Sequence, residues 1–331
     1  MSGKKRLLTG LQPSGTLHIG NYFGALKPFV DQYKDFESIL MIADYHSLTS
    51  LRDPQMLRRN IGEVVKDYVA AGVNPDEVII FKQSDVQEHT ELAWIFETLV
   101  PVTYLENAHA YKDKVAKGLE ANAGLFNYPM LMAADILLYD SEFVPVGSDQ
   151  KQHVEYAREA AAKFNTAYGK TFIEPQEKIL EGVGVVPGTD GKKMSKSYGN
   201  TIPLFGTKDE ITKAVMKIVT DSLTIDLDSI REGKVNKIDQ VHKPENVYQI
   251  HKLFRSEGEL ASLYEERKGK YKDLKDALVA DIENMVAPMR AKRDSISESQ
   301  VKQILSDGAA KARALASAKM ADVRQKVGVT L

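Results

Sequence analysis

The sequence predicts an α/β protein, with a parallel-sheet domain in residues 1–200 followed by an α-helical domain in residues 201–331. Three observations lead there. From residue 5 to about residue 150, short apolar runs alternate with stretches of helical periodicity, the rhythm of strands joined by crossover helices. After Gly199 the strand signals largely stop and helical periodicity takes over. At 331 residues the chain is also long for one core, since a domain usually takes about 100–200 residues. The last helices are free in this scheme to pack back on the first domain.

Arg6 to Leu11 opens the sheet, and a turn of small residues leads into a helix expected over Asn21 to Tyr33. Ser38 to Ala43 is the second strand. The following helix, Pro54 to Ala71, repeats Leu57, Ile61, Val64, Val65, Tyr68 and Val69 at helical spacing, and Pro54 suits its first turn. Val78 to Phe81 is the third strand and Thr90 to Leu99 a helix, on which Trp94 reads as core. Tyr128 to Tyr139 is helical, Phe143 to Val146 is a strand, and Asp149 to Phe164 is helical again. Beyond the boundary, residues 207–221, 244–256, 271–293 and 298–327 read as helices, with Pro244 and Ser297-Glu298-Ser299 as start signals. Arg290 to Lys326 carries nine Lys or Arg against four Asp or Glu, which suits either a solvated helix face or an RNA-contacting one.

Composition narrows the chemistry. There are 44 basic and 46 acidic residues, so whole-chain charge does not announce a nucleic-acid binder. The absence of cysteine removes disulfides, thiolate nucleophiles, Cys-ligated zinc and iron–sulfur clusters. Neither a cleavable apolar segment nor an Arg-rich transit pattern is seen near Met1, and no run approaches the ~18 apolar residues of a membrane span. A cytoplasmic protein without membrane association is expected.

Two short segments carry the chemistry. Pro13-Ser-Gly-Thr-Leu-His-Ile-Gly-Asn21 sets small residues and the His18 imidazole in a strand-to-helix turn, where backbone amides approach a phosphate closely. It lacks the glycine–lysine pair of a P-loop. Lys193-Met-Ser-Lys-Ser197 sets two lysines among hydroxyl residues in a loop flanked by Gly191 and Gly199, suited to neutralising a polyphosphate. Together they describe a two-sided clamp for ATP. Taken singly, His18 is equally a satisfied polar residue at a helix start, Asn21 a helix cap, and the lysines surface residues.

Asp135 is the unusual member of its helix, a carboxylate amid Met132, Ala133, Ala134, Ile136, Leu137 and Leu138 that needs a partner. It either pairs within the core or accepts a substrate's hydrogen bond. Tyr128 and Met132 precede it by seven and three residues and share its helix face. Asp149, after the strand that ends at Val146, is either a helix cap or an acceptor pair for ribose hydroxyls.

The histidine turn and the lysine loop, in this order, resemble the two signature motifs of class I aminoacyl-tRNA synthetases, which implies a Rossmann-like catalytic domain. Gly10-Leu-Gln-Pro-Ser-Gly15, Tyr128 to Tyr139 and Val144-Pro-Val-Gly-Ser-Asp-Gln-Lys-Gln-His153 are closely similar to the tryptophanyl branch. The likeness runs over most of residues 5–200 and weakly through the helical remainder. It implies activation of L-tryptophan by ATP·Mg²⁺, release of pyrophosphate, and transfer of tryptophan to tRNA(Trp). His18, Lys193 and Lys196 would stabilise the transferring phosphates. Gln12, Pro13, Ser14, Gly20, Asn21, Gly147, Ser148, Asp149, Val185, Met194, Ser195 and Ser197 would complete the ATP site with the two lysines. Asp135 would accept the indole N–H, and Tyr128, Met132, Gln150, His46 and Leu8 would line the tryptophan pocket. Leu8 departs from the pattern, standing where bacterial members carry an aromatic residue. The resemblance further implies a homodimer, an anticodon-reading role for residues 201–331, and no bound zinc or iron–sulfur cluster. A tyrosyl enzyme, for which glutamine is expected at Met132, is the nearest alternative. A non-catalytic tryptophan- or RNA-binding paralogue and a small-metabolite nucleotidyltransferase are the others, and the intact motifs speak against both.

Overall fold

A computed structural model describes residues 3–118, 120–145, 151–178, 185–220 and 244–330. Its sheet consists of parallel strands β1 (Arg6–Leu11), β2 (Glu37–Ile42), β3 (Val78–Lys82), β4 (Phe143–Pro145) and β5 (Gln176–Lys178), in the order β3-β2-β1-β4-β5. The first three match the expected strands to within a residue at each end. Val146, the expected last residue of β4, lies outside the described residues. β2 is buried from Ser38 to Ile42, as a parallel strand covered on both faces must be. Leu8 pairs with Ile39 and Gly10 with Met41 across the β1–β2 ladder, and Leu7 pairs with Phe143 on the other side. The chain therefore leaves β1 in opposite directions on its two flanks. That reversal opens a crevice beyond the carboxyl end of β1, where ligands of open α/β sheets bind.

The longer helices are α1 (Pro54–Ala70), α2 (Glu88–Glu97), α3 (Ala123–Leu137), α4 (Lys151–Tyr168), α5 (Lys208–Met216), α6 (Glu245–His251), α7 (Glu257–Glu266), α8 (Tyr271–Ser295) and α9 (Glu298–Val327). Asp53 caps α1 by accepting from Gln55 N and Met56 N, with Pro54 in the first turn as expected. Ser297 and Gln300 form the capping box that starts α9. The helix expected over Asn21 to Tyr33 begins earlier, at Ile19, and passes through a π-helical turn at Tyr22–Leu26. Trp94 is not core: it is 68% exposed, because α2 turns Leu92, Ala93 and Phe96 inward.

The chain forms two compact units. The first comprises Met1–Gly15, Phe29–Leu180 and Ile296–Leu331; the second comprises Thr16–Pro28 and Glu181–Ser295. This differs from a cut at residue 200 in two ways, the second of which that scheme leaves open for the last helices. The His18 turn and the lysine loop group with the helices, and α9 groups with the sheet.

The reason for the second difference lies along α9. Val301, Leu305, Gly308, Ala309, Ala312, Ala316, Met320 and Val323 form its buried stripe, and the small residues let it lie against β3. At Gly308 an added Cβ would fall 1.8 Å from the Ile80 carbonyl oxygen. The basic residues of α9 fasten it to the same unit. Arg313 Nε donates to Asp85 O (2.9 Å), Lys319 pairs with Asp140 (2.6 Å), and Arg324 Nε donates to Glu91 (2.7 Å). Lys326 donates to Lys170 O (2.9 Å). Much of the positive charge on this stretch thus holds the helix in place, which neither a purely solvated nor an RNA-contacting face requires.

The second unit has its own core of Leu260, Leu263, Tyr264, Leu274 and Ala277, with Tyr248 and Tyr271 packed against it. Beneath them His251, fully buried, meets Asp281 (2.7 Å), which Arg255 also binds through two nitrogens.

Candidate active site

In the first unit the focus is Asp135, 1% exposed near the end of α3. An ionised carboxylate buried to that degree needs compensation. Three elements supply it. His46, in the short helix Asp44–Ser47 after β2, places Nε2 2.8 Å from Asp135 Oδ2. Gln83, directly after β3, donates from Nε2 to Oδ1 at 2.8 Å. Its amide orientation is fixed, because Oε1 accepts from Tyr45 N (3.2 Å). His89 of α2 brings Nδ1 to 2.6 Å from Oδ1, a close contact off the line of a directed hydrogen bond. Burial alone would push the Asp135 carboxyl up; the hydrogen bond from His46 and the close approach of the His89 ring outweigh it and hold the group at about 2. It is an ionised acceptor at neutral pH.

Tyr128 and Met132, half-buried on the same helix, belong to one apolar cluster with Leu8, Met41 and Ala133. The Tyr128 ring meets the His46 ring edge-on, centroids 6.4 Å apart, and its hydroxyl lies 3.4 Å from His153 Nε2. Leu8, 2% exposed, is part of that apolar wall. Tyr128, His46 and Asp135 are therefore brought together, and Leu8 and Met132 belong to the large apolar cluster beside them. Gln12, Pro13 and Ser14 follow the carboxyl end of β1, where Asn60 Nδ2 donates to Pro13 O (3.1 Å) and Ser14 N to Gln12 O (2.8 Å). Gly147, Ser148, Asp149 and Gln150 lie outside the described residues.

In the second unit the two sequence motifs meet. His18 is the cap of its helix: Nδ1 accepts from Asn21 N (3.2 Å), while Asn21 Oδ1 accepts from His18 N (3.1 Å). An imidazole accepting at Nδ1 carries its proton on Nε2, which is then its donor. Burial first, and the Lys196 cation second, hold the His18 pKa down at about 4, so the ring is neutral at pH 7. Ile19 N donates to Ile202 O and Leu204 N to Leu17 O, both at 3.0 Å, which anchors the turn. Gly20 N donates to Met194 Sδ (3.3 Å) across 174 positions of sequence. A Cβ at Gly20 would stand 2.9 Å from His18 Nδ1 and 3.1 Å from Met194 Cβ, so only glycine admits this approach.

The lysine loop is shaped by a residue that the motif does not include. Asn200, 2% exposed, accepts from Ser195 N at Oδ1 (2.8 Å) and donates from Nδ2 to Asp190 Oδ1 (2.7 Å) and Lys193 O (3.1 Å). Its own carbonyl accepts from Thr189 N (2.9 Å). Met194 N donates to Val186 O (2.8 Å), and the Ser195 and Ser197 hydroxyls are 2.9 Å apart. Met194 is thereby buried while Lys193 and Lys196 stand exposed on either side of it. Val185 is 68% exposed. Two ammonium groups and a neutral imidazole N–H make a donor set for an anionic polyphosphate. Among the described residues, no group of three or more His, Cys, Asp or Glu is placed to hold a metal ion.

Sequence reasoning missed Gln83, His89, Tyr139 and Asn200. Only for Asn200 was there a signal, its position just after Gly199, whose φ of 64° ends the loop in a left-handed turn.

The model of the family "tRNA synthetases class I (W and Y)" matches residues 2–287. A tryptophan–tRNA ligase of Fusobacterium nucleatum is 44% identical over 328 residues, 98% of each chain. One from Rhodopirellula baltica is 43% identical over 98% of this chain and 99% of its own. Among solved structures, tryptophanyl-tRNA synthetase from Campylobacter jejuni, complexed with ADP and tryptophan, matches with a TM-score of 0.87 at 42% identity, covering 98% of this chain and 99% of that one.

Proposed function

The chain belongs to the class I tRNA synthetases for tryptophan and tyrosine, and from that premise we propose that it is a tryptophan–tRNA ligase. The tryptophan carboxylate attacks the α-phosphorus of ATP, the bond to the β-phosphate breaks, and pyrophosphate leaves. The terminal ribose hydroxyl of tRNA(Trp) then attacks the carbonyl of tryptophanyl-adenylate and releases AMP. Mg²⁺ enters with ATP as part of the substrate and offsets charge on the leaving pyrophosphate.

Selection of the amino acid belongs to the first unit and handling of the triphosphate to the second. In the second, His18 donates from Nε2 to a phosphate oxygen, Lys193 and Lys196 neutralise charge as pyrophosphate departs, and Gly20, Asn21, Met194, Ser195 and Ser197 shape the cradle. Gln12, Pro13, Ser14, Gly147, Ser148, Asp149 and Val185 complete the ATP contacts. In the first unit Asp135 accepts the indole N–H, within a pocket lined by Tyr128, Met132, His46, Leu8 and Gln150. Methionine at 132 favours tryptophan over tyrosine. Helices α6 to α8 are the anticodon-reading part. The protein is a cytoplasmic homodimer, and the exposed Trp94, Val102 and Val115 of the first unit supply apolar surface for a partner. Among the described residues no helix is long and apolar enough to cross a membrane.

The observation that carries this reading is the buried, ionised Asp135, since a site built around such an acceptor rejects phenylalanine by leaving the carboxylate short of a donor. Pyrophosphate exchange with tryptophan and tyrosine side by side tests it. Exchange should depend on tryptophan, and Asp135→Ala should lower kcat/KM for tryptophan by roughly 10- to 100-fold, the worth of a hydrogen bond to a charged group, with ATP affinity retained. Undiminished exchange in that variant would refute the assignment.

A further inference from the structure

We propose that His89 and Tyr139 are positioning residues for tryptophan selection, with Tyr139 fixing the His89 tautomer so that His89 occupies Asp135 Oδ1 and leaves Oδ2 to receive the indole. This rests on the reading of Asp135 as the indole acceptor.

The partners of the carboxylate are unevenly shared. Oδ1 accepts from Gln83 Nε2 at 2.8 Å and has His89 Nδ1 packed against it at 2.6 Å, off the line of a directed hydrogen bond, so both its sides are covered. Oδ2 has His46 Nε2 at 2.8 Å. A carboxylate oxygen offers about two acceptor sites, so the remaining site is on Oδ2, beside the His46 ring that Tyr128 meets edge-on. For a singly protonated His89 to turn an N–H rather than a lone pair toward Oδ1, its Nε2 must accept. Tyr139 provides that arrangement: its hydroxyl lies 2.8 Å from His89 Nε2. Burial, then the charges of Asp135 and Glu88, push the Tyr139 phenol up, so it keeps its proton and acts as the donor.

The relay has little freedom to rearrange. His89 is fully buried and Tyr139 1% exposed, and Phe81 packs against both rings, stacked on His89 at 6.0 Å between centroids and edge-on to Tyr139 at 5.6 Å. If the hydroxyl is removed, an imidazole carrying one proton loses its reason to place it on Nδ1. The alternative tautomer turns a lone pair toward Oδ1, and the carboxylate then draws Gln83 or His46 away from its place.

The test is the ratio of kcat/KM for L-tryptophan to kcat/KM for its benzothiophene isostere, in which sulfur replaces the ring N–H, measured by pyrophosphate exchange. Tyr139→Phe deletes only the hydroxyl and should lower the ratio roughly tenfold, the scale of one hydrogen bond to a charged group. His89→Leu should lower it at least as far, and His89→Asn, whose amide N–H stands in for Nδ1–H, should restore it, with KM for ATP unchanged in each. If a folded Tyr139→Phe keeps the native ratio, or loses activity equally toward both amino acids, the residues are structural and the proposal falls. Should His89→Leu fail to fold, Tyr139→Phe alone decides. Asp135→Asn run alongside separates the two layers: an unchanged ratio there would overturn the Asp135 reading itself, whereas a reduced ratio there with a native ratio in Tyr139→Phe would overturn only the relay.

Discussion

Substituting Gly308 by alanine asks whether the last helix is held by the approach of its backbone to β3. A solvated glycine in a helix gains about 0.4–1 kcal/mol on becoming alanine, because the unfolded chain loses freedom and the helix is favoured. Gly308 faces Ile80 instead. An added Cβ would lie 1.8 Å from the Ile80 carbonyl oxygen and 2.5 Å from its carbon, whereas ordinary contact begins at 3.4 Å. The helix must therefore withdraw by about 1.6 Å, since neither atom is a flexible side-chain end. Withdrawal opens a gap along Ala309, Ala312, Ala316, Met320 and Val323, all buried against the same unit. Overpacking of this kind costs about 1–3 kcal/mol, and the propensity gain offsets about 1 of it. The net expectation is a loss of up to about 2 kcal/mol, which for a unit of about 200 residues lowers the melting temperature by up to roughly 8 °C. Far-ultraviolet circular dichroism on heating measures it. Because the two accounts differ in sign, a raised melting temperature would refute the close packing of α9 on β3.

Asn200→Ala removes the acceptor for Ser195 N and the donor to Asp190 and Lys193 O; it should lower kcat for adenylate formation roughly tenfold or more while tryptophan affinity, measured at equilibrium, stays within about twofold. For His18 the folded pKa of about 4 lies below the ordinary value of 6.5, so the unfolded chain takes up the proton first. The stability that His18 contributes is thus present above pH 6.5 and lost as pH falls through about 4, and His18→Gln should flatten that part of a urea-midpoint profile. A His18 resonance titrating near 6.5 in the folded protein would contradict the capping geometry.

What could be read from the sequence follows from how local each signal is. β2 and β3 were legible because buried parallel strands are apolar almost throughout, and β1 because Leu7 and Leu8 lead into a turn of small residues. β5, three residues of Gln-Glu-Lys at the sheet edge, has no such run. α7 carries only Leu260, Leu263 and Tyr264 on its buried side, too short a stripe to stand out. Trp94 misled because an aromatic residue in an apolar helix is ordinarily inward, and here Phe96 takes that place. Periodicity located α9 to the residue but said nothing of its unit; that was decided by a stripe of Gly and Ala whose purpose is visible only against β3. The need of Asp135 for partners was legible from its apolar neighbours. Their identity was not, because Gln83 lies 52 positions away and His46 89, and only the sheet order brings the ends of β2 and β3 alongside α3.

The attachment of α9 to β3 also orders events during synthesis. Asp85 and Arg313, which are hydrogen-bonded, are separated by 228 positions, and at about 5–20 residues per second the ribosome needs roughly 10–45 seconds to travel between them. Over that interval β3 is an edge strand without its covering helix, a template for unwanted strand pairing. The same strand leads directly into Gln83, which holds Asp135. The nascent chain thus completes the loops that follow β2 and β3 well before the helix that covers β3. The edge of β3 is therefore among the last surfaces of the sheet to be covered.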